Sequence, residues 1–243
     1  MWGDSRRDGW DYLHDQIRSL GSSLFVNINT MFFAGVCLYY FYCGQEVLPA
    51  ALNCTVFIVN VIMHIKRVCV YCGSSSGAKA EYLNAARRLG AELAGRNIGL
   101  VYGGGSVGLM GGVSATVHDQ GGSVVGIIPK NLLPREISGD TLGELIVTED
   151  MHERKKRMFS VADAFVALPG GFGTLEELLE IMTWHQLGLH EKPICILNVC
   201  GFFDSFLQFL DKACEEGFIS ASARRVLFVG STTDEILEKI LSS

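Results

Sequence analysis

The stretch Pro169-Gly170-Gly171-Phe172-Gly173-Thr174-Leu175-Glu176-Glu177 lies between an apolar run, Ala164-Phe165-Val166-Ala167-Leu168, and a helical pattern carried by Leu175, Leu178, Leu179 and Met182. That order predicts a strand, a glycine turn and a helix. Three glycines in four positions keep side chains away from the backbone. A helix start adds unpaired N–H groups and a positive dipole end, which together favour an anion such as phosphate. Glu176 and Glu177 fall in the first helical turn on this reading. Acids beside an anion site suggest chemistry on the ligand as well as binding. A second reading stays open, because Thr174 and Glu177 have the spacing of a capping box and acids are favoured in a first turn.

The same strand–glycine–helix order occurs upstream. Ile98–Tyr102 reads as a strand running into Gly103-Gly104-Gly105-Ser106-Val107-Gly108-Leu109-Met110-Gly111. Gly103, Gly104, Gly105, Ser106 and Gly108 are phosphate-loop candidates. Dinucleotide binding is the weaker alternative, because no acid follows the next strand to hold a ribose hydroxyl. Around these turns the chain alternates regularly. Strands are expected over Ile65–Cys72, Val124–Ile128, Leu145–Val147, Ile194–Asn198 and Val226–Val229. Helices are expected over Ala78–Arg96, Met151–Phe159, from the glycine turn to about Leu187, Phe202–Glu216 and Thr233–Leu241. Pro129–Asp140 reads as a loop holding Arg135 and Glu136. Near-continuous apolar strands between helices indicate a Rossmann-like, doubly wound parallel α/β sheet in a single domain over residues 65–243. Ligands of such sheets bind beyond the carboxyl ends of the strands, where both glycine turns fall.

In the predicted helix at Met151, positions 154 and 155 share the apolar stripe of Met151, Met158, Phe159 and Ala162. A cation on a core-facing stripe is costly unless it is paired, so Arg154 reads as a ligand-handling residue. Lys156 and Arg157 read as solvated. On the helix after the second turn, Glu176, Glu180 and Thr183 share one flank.

The chain has 243 residues and a net charge of −6. It holds no basic run long enough to track a phosphate backbone, so nucleic acid is not an expected partner. The eight cysteines are too scattered for a disulfide scaffold. Cys69 and Cys72 form a lone CxxC inside a strand, where alternation sends them to opposite faces as buried thiols rather than to a metal. Residues 1–64 form an apolar N-terminal extension. Between Ser19 and Met63 the only formal charge is Glu46. Leu24–Cys43 is about as long as a membrane span. A membrane hairpin, a cleaved targeting segment and translation upstream of a functional start at Met63 all remain open, with the third favoured over membrane contact through residues 19–63.

Five motifs in order carry a family resemblance: Cys72-Gly73-Ser74-Ser75, Tyr102-Gly103-Gly104-Gly105 through Gly111, Pro134-Arg135-Glu136, Met151-His152-Glu153-Arg154-Lys155, and Pro169 to Glu177. From about Ile65 to Leu241 the chain resembles the plant LONELY GUY family, the cytokinin riboside 5′-monophosphate phosphoribohydrolases. The older label for such proteins is lysine decarboxylase; no pyridoxal-binding constellation is found in the sequence. The resemblance implies an enzyme that cleaves the N-glycosidic bond of N6-substituted adenosine 5′-monophosphates to free cytokinin base and ribose 5-phosphate. It implies catalytic roles for Arg154 and Glu177, and substrate contacts at Glu136, Arg154, Lys155, Gly170, Gly171, Phe172, Gly173, Thr174, Leu175, Glu176 and Thr183. It further implies a small-molecule nucleotide substrate, no metal or cofactor, a homodimer, and a cytoplasmic or nuclear setting. The alternative from another class is a non-catalytic carrier of a phosphorylated ligand on the same fold.

Overall fold

The computed structural model describes residues 65–136 and 142–243, all within one unit, Met63–Ser243. The readings of residues 1–64 fall outside the described residues. Seven strands form one sheet: β1 Arg67–Tyr71, β2 Gly99–Tyr102, β3 Val124–Pro129, β4 Glu144–Thr148, β5 Ala164–Ala167, β6 Ile194–Leu197 and β7 Leu227–Gly230. Their order is β4-β3-β2-β1-β5-β6-β7, and every neighbouring pair is parallel. The helices are α1 Ala80–Gly95, α2 Gly108–Asp119, α3 Leu133–Glu136, α4 Met151–Val161, α5 Phe172–Gln186, α6 Asp204–Glu215, α7 Ala221–Arg224 and α8 Thr233–Leu241.

The strands are continuous apolar runs because the central ones are covered on both faces. Alternation divides β1 as the sequence predicts. Val68, Val70 and Cys72 join Leu89, Leu93, Val113, Val117, Ile236 and Ile240 in the layer under α1, α2 and α8. Cys69 and Tyr71 join Met158, Phe165, Leu178, Ile181 and Leu210 under α4, α5 and α6. The CxxC thiols therefore sit on opposite faces. Both are free and buried, and burial, helped by the nearby Glu177 carboxylate, pushes both well up from the usual thiol range.

The chain runs from β1 outward to β2, β3 and β4, then returns to place β5 on the other side of β1. This reversal opens a crevice at the carboxyl ends of β1 and β5, where ligands of doubly wound sheets bind. Three turns meet there. The Gly73 N–H donates to the Pro169 carbonyl at 3.0 Å, and the Gly73 carbonyl accepts from Leu109 N–H at 3.0 Å and Met110 N–H at 3.3 Å.

Two local expectations are corrected. The expected loop after β3 begins with a 3-10 turn, Lys130–Leu132, followed by α3; residues 137–141 lie outside the described residues. The helix after the second glycine turn begins at Phe172 with Gly171 as its N-cap. Thr174 is therefore not a capping residue, and Glu176 and Glu177 stand in the second turn rather than the first.

Candidate active site

The start of α4 is set by its caps. The Asp150 carboxylate accepts from Glu153 N–H at 2.8 Å, and the Glu153 carboxylate accepts from Glu149 N–H at 2.8 Å. With the helix fixed at Met151, Arg154 and Met158 fall on its buried face. Arg154 is only 6% exposed. Its Nη2 lies 3.4 Å from Glu177 Oε1 and donates to the Gly103 carbonyl at 3.5 Å. Nη1 reaches the Met151 sulfur at 3.6 Å. Nε is buried with no hydrogen-bond partner. A guanidinium carries five N–H donors, so one carboxylate, one carbonyl and a thioether leave this buried cation with donors to spare.

Glu177 is 7% exposed and faces Arg154 from α5. One position back, Glu176 pairs with Lys155, which also reaches Glu180 Oε1 at 3.0 Å. Partial burial lowers the Lys155 pKa, but hydrogen bonds and charge from the two carboxylates outweigh it, and the net shift is upward. Lys155 is therefore a fixed cation held to α5. The helices α4 and α5 meet through two parallel links, a buried Arg154–Glu177 pair and a clamp in which a largely covered Lys155 holds the more exposed Glu176 and Glu180.

The glycines divide into those their neighbours require and those nothing in the free protein requires. A Cβ on Gly170 would lie 2.1 Å from Thr174 Oγ1, and one on Gly108 would lie 2.3 Å from the Ser74 carbonyl carbon. Gly103, Gly104 and Gly105 are buried, and Gly104 has a φ of +80° against Ile128. By contrast nothing stands within 4 Å of a Cβ on Gly171 or Gly173. The two helix starts differ in the same way. Leading amides of α2, Leu109 and Met110, are already spent on Gly73. At α5 the first N–H groups, on Phe172, Gly173 and Thr174, have no partner inside the helix. Phe172 is 94% exposed and covers nothing there.

The structure thus brings Gly103, Arg154, Lys155, Gly170 to Leu175, Glu176 and Glu177 to one crevice. Ser106 is partly buried in the β2–α2 turn. Thr183 lies further along α5, exposed, and donates to the Leu179 carbonyl at 2.7 Å. Glu136 ends α3; its side chain is outside the described residues. Glu180 is a member of the cluster that sequence reasoning left out of the site, although its i,i+4 spacing from Glu176 is the signal that finds it. Two concavities of 260 and 450 Å³ are lined by other residues, near the carboxyl and amino ends of β6 and β7 respectively. The crevice is identified by its buried charges.

A family model described as "Possible lysine decarboxylase" matches residues 110–240. Cytokinin riboside 5′-monophosphate phosphoribohydrolase LOG3 of Arabidopsis thaliana is 58% identical over 175 residues, covering 72% of this chain and 81% of the relative. The chain belongs to the LOG family. The rice family member LOG, from Oryza sativa subsp. japonica, is 57% identical over 175 residues, 72% of each chain. Among solved structures, the molybdenum cofactor binding protein from Rippkaea orientalis matches with a TM-score of 0.57 at 23% identity, over 74% of this chain and 98% of that one. The Moco carrier protein of Chlamydomonas reinhardtii matches with a TM-score of 0.56 at 21% identity, over 74% and 99%. These likenesses establish the Rossmann-like fold that the LOG family member shares with carrier proteins.

Proposed function

We propose that the chain hydrolyses the N-glycosidic bond of cytokinin riboside 5′-monophosphates, N6-substituted adenosine 5′-monophosphates, releasing free cytokinin base and ribose 5-phosphate. The observation that carries this reading is the buried Arg154–Glu177 pair at 3.4 Å, set at the switch point of a chain 58% identical to phosphoribohydrolases.

Breaking an N-glycosidic bond builds positive charge on the ribose and negative charge on the departing purine. The Glu177 carboxylate serves the first, stabilising the ribosyl cation and orienting or deprotonating water. The spare donors of Arg154 serve the second or hold Glu177 in place. The amides at the start of α5, between the unobstructed Gly171 and Gly173, grip the 5′-phosphate. Phosphate binding away from the reacting bond supplies orientation, so the nucleoside is the poorer substrate.

The test is release of free base from N6-isopentenyl-AMP, AMP and their nucleosides. The expected result is kcat/KM for the nucleoside lower by roughly 100-fold, worth about 2.7 kcal/mol. Glu177→Ala is expected to slow the nucleotide reaction by roughly 10²- to 10⁴-fold. Equal rates on nucleotide and nucleoside would remove the phosphate grip, and full activity in Glu177→Ala would remove the carboxylate's role. Absence of base from every nucleotide would leave a carrier.

We also propose a homodimer. The exposed Leu179, Leu187 and Leu189 on and after α5 support a paired surface, and light scattering tests it. The proposed setting is cytoplasmic. No helix among the described residues is long and apolar enough to cross a membrane.

A further inference from the structure

Sequence reads Gly103 as part of a phosphate loop. We infer that Gly103 is instead a positioning residue for the reaction: its missing side chain is the slot in which the Arg154 guanidinium sits.

A Cβ built on Gly103 would lie 2.1 Å from Arg154 Nη2, 3.3 Å from Arg154 Cζ and 3.2 Å from the Met110 sulfur. The Gly103 carbonyl accepts from the same Nη2. Backbone therefore forms one wall and one acceptor of the slot, with Met110, itself 6% exposed, beside it. The Glu177 carboxylate meets Nη2 as well. Gly103 differs in kind from Gly108, whose Cβ would strike the Ser74 backbone. At Gly103 the obstacle is the mobile end of a side chain. An added methyl is accommodated by driving the guanidinium back by about 1 Å, and a displacement of that size at a catalytic group costs about 10²-fold in rate. The retreat breaks the Nη2 contacts to Glu177 and to the Gly103 carbonyl, while Nε holds no hydrogen bond to resist it. The fold survives and the pairing with Glu177 is lost.

This rests on the hydrolytic reading of Arg154, and the experiment separates the two. Gly103→Ala, Arg154→Ala and the double variant are compared for base release from N6-isopentenyl-AMP and for melting temperature. Gly103→Ala is expected to fold, with a melting temperature lowered by no more than Arg154→Ala lowers it, and to lose about 10²-fold in kcat/KM. The double variant is expected to be no slower and no less stable than Arg154→Ala alone, since the slot is then empty. A Gly103→Ala protein within about threefold of full activity overturns the inference. So does a further loss when the alanine is added to Arg154→Ala. Should Gly103→Ala fail to fold, folding of the double variant supports the slot and its failure to fold overturns it. If Arg154→Ala proves fully active, hydrolysis stands but the catalytic role of Arg154 falls, and the positioning role of Gly103 falls with it.

Discussion

Glycine at four positions of the two glycine turns answers to different surroundings. At 103 it admits a guanidinium, at 108 it lets the Ser74 backbone pass, and at 170 it makes room for the Thr174 hydroxyl. At 173 nothing in the free protein demands it. A helical glycine without a steric reason is expected to cost up to about 0.5–1 kcal/mol relative to alanine. Its presence therefore points to something that approaches from outside. Gly173→Ala is expected to raise the melting temperature of the free protein while raising KM for N6-isopentenyl-AMP, with KM for the riboside little moved. Melting curves and initial rates on both substrates check this. An unchanged nucleotide KM would mean that no ligand comes close to the backbone there. The open backbone at 173 was legible in the sequence as a glycine turn suited to an anion, but the causes at 103, 108 and 170 were not, because the sequence cannot say which neighbour occupies the space of a missing Cβ.

At the scale of elements, the site depends on how α4 and α5 are held together, and one histidine ties both to the sheet. Ring Nε2 of His190 bonds the Ile181 carbonyl on α5 at 2.9 Å, and Nδ1 accepts from Lys192 N–H at 3.1 Å just before β6. The ring also packs edge-on against Phe159 of α4. Nδ1 accepts, so Nε2 donates and the ring is neutral. Burial lowers the His190 pKa; the Ile181 bond opposes this, and His185 and Lys192 push it further down. The unfolded chain binds a proton near pH 6.5 and the folded chain only below that, so the unfolded state holds more protons in between. Stability is thus complete above about pH 6.5 and falls as pH drops toward the lowered value, by at most about 1.4 kcal/mol per pH unit. His190→Gln is expected to flatten the melting-temperature profile between pH 7 and 5 relative to the unaltered chain. Parallel profiles would show that His190 does not titrate on unfolding. The elements themselves were largely legible, because their apolar periods are strong. The start of α5 was not. Thr174 and Glu177 present a capping-box spacing, but a glycine N-cap leaves no side-chain mark, and the helix begins three residues ahead of the misleading signal.

For the molecule as a whole, continuous apolar strands announced a parallel sheet covered on both sides, and that is what folds. Strand order was beyond reach, since β1 is equally apolar on both flanks and nothing local says that β5 returns beside it. The site followed from the same reversal: Arg154 and Glu177 are 23 positions apart in sequence, yet the helices after β4 and β5 bring them to 3.4 Å. Among the described residues, every strand pairing and both apolar layers are built from residues between Ile65 and Ile240. A chain beginning at Met63 therefore contains the whole described core and both members of the pair. It is expected to release base from N6-isopentenyl-AMP with kcat and KM within about twofold of the full chain. Fractionation of the two forms side by side reads the other role open to residues 1–62: a full chain sedimenting with membranes beside a soluble shortened one would assign them to tethering. A tenfold or larger loss of kcat in the shortened chain would place part of the catalytic apparatus upstream of Met63 and break the claim that the sheet and its two charged helices suffice.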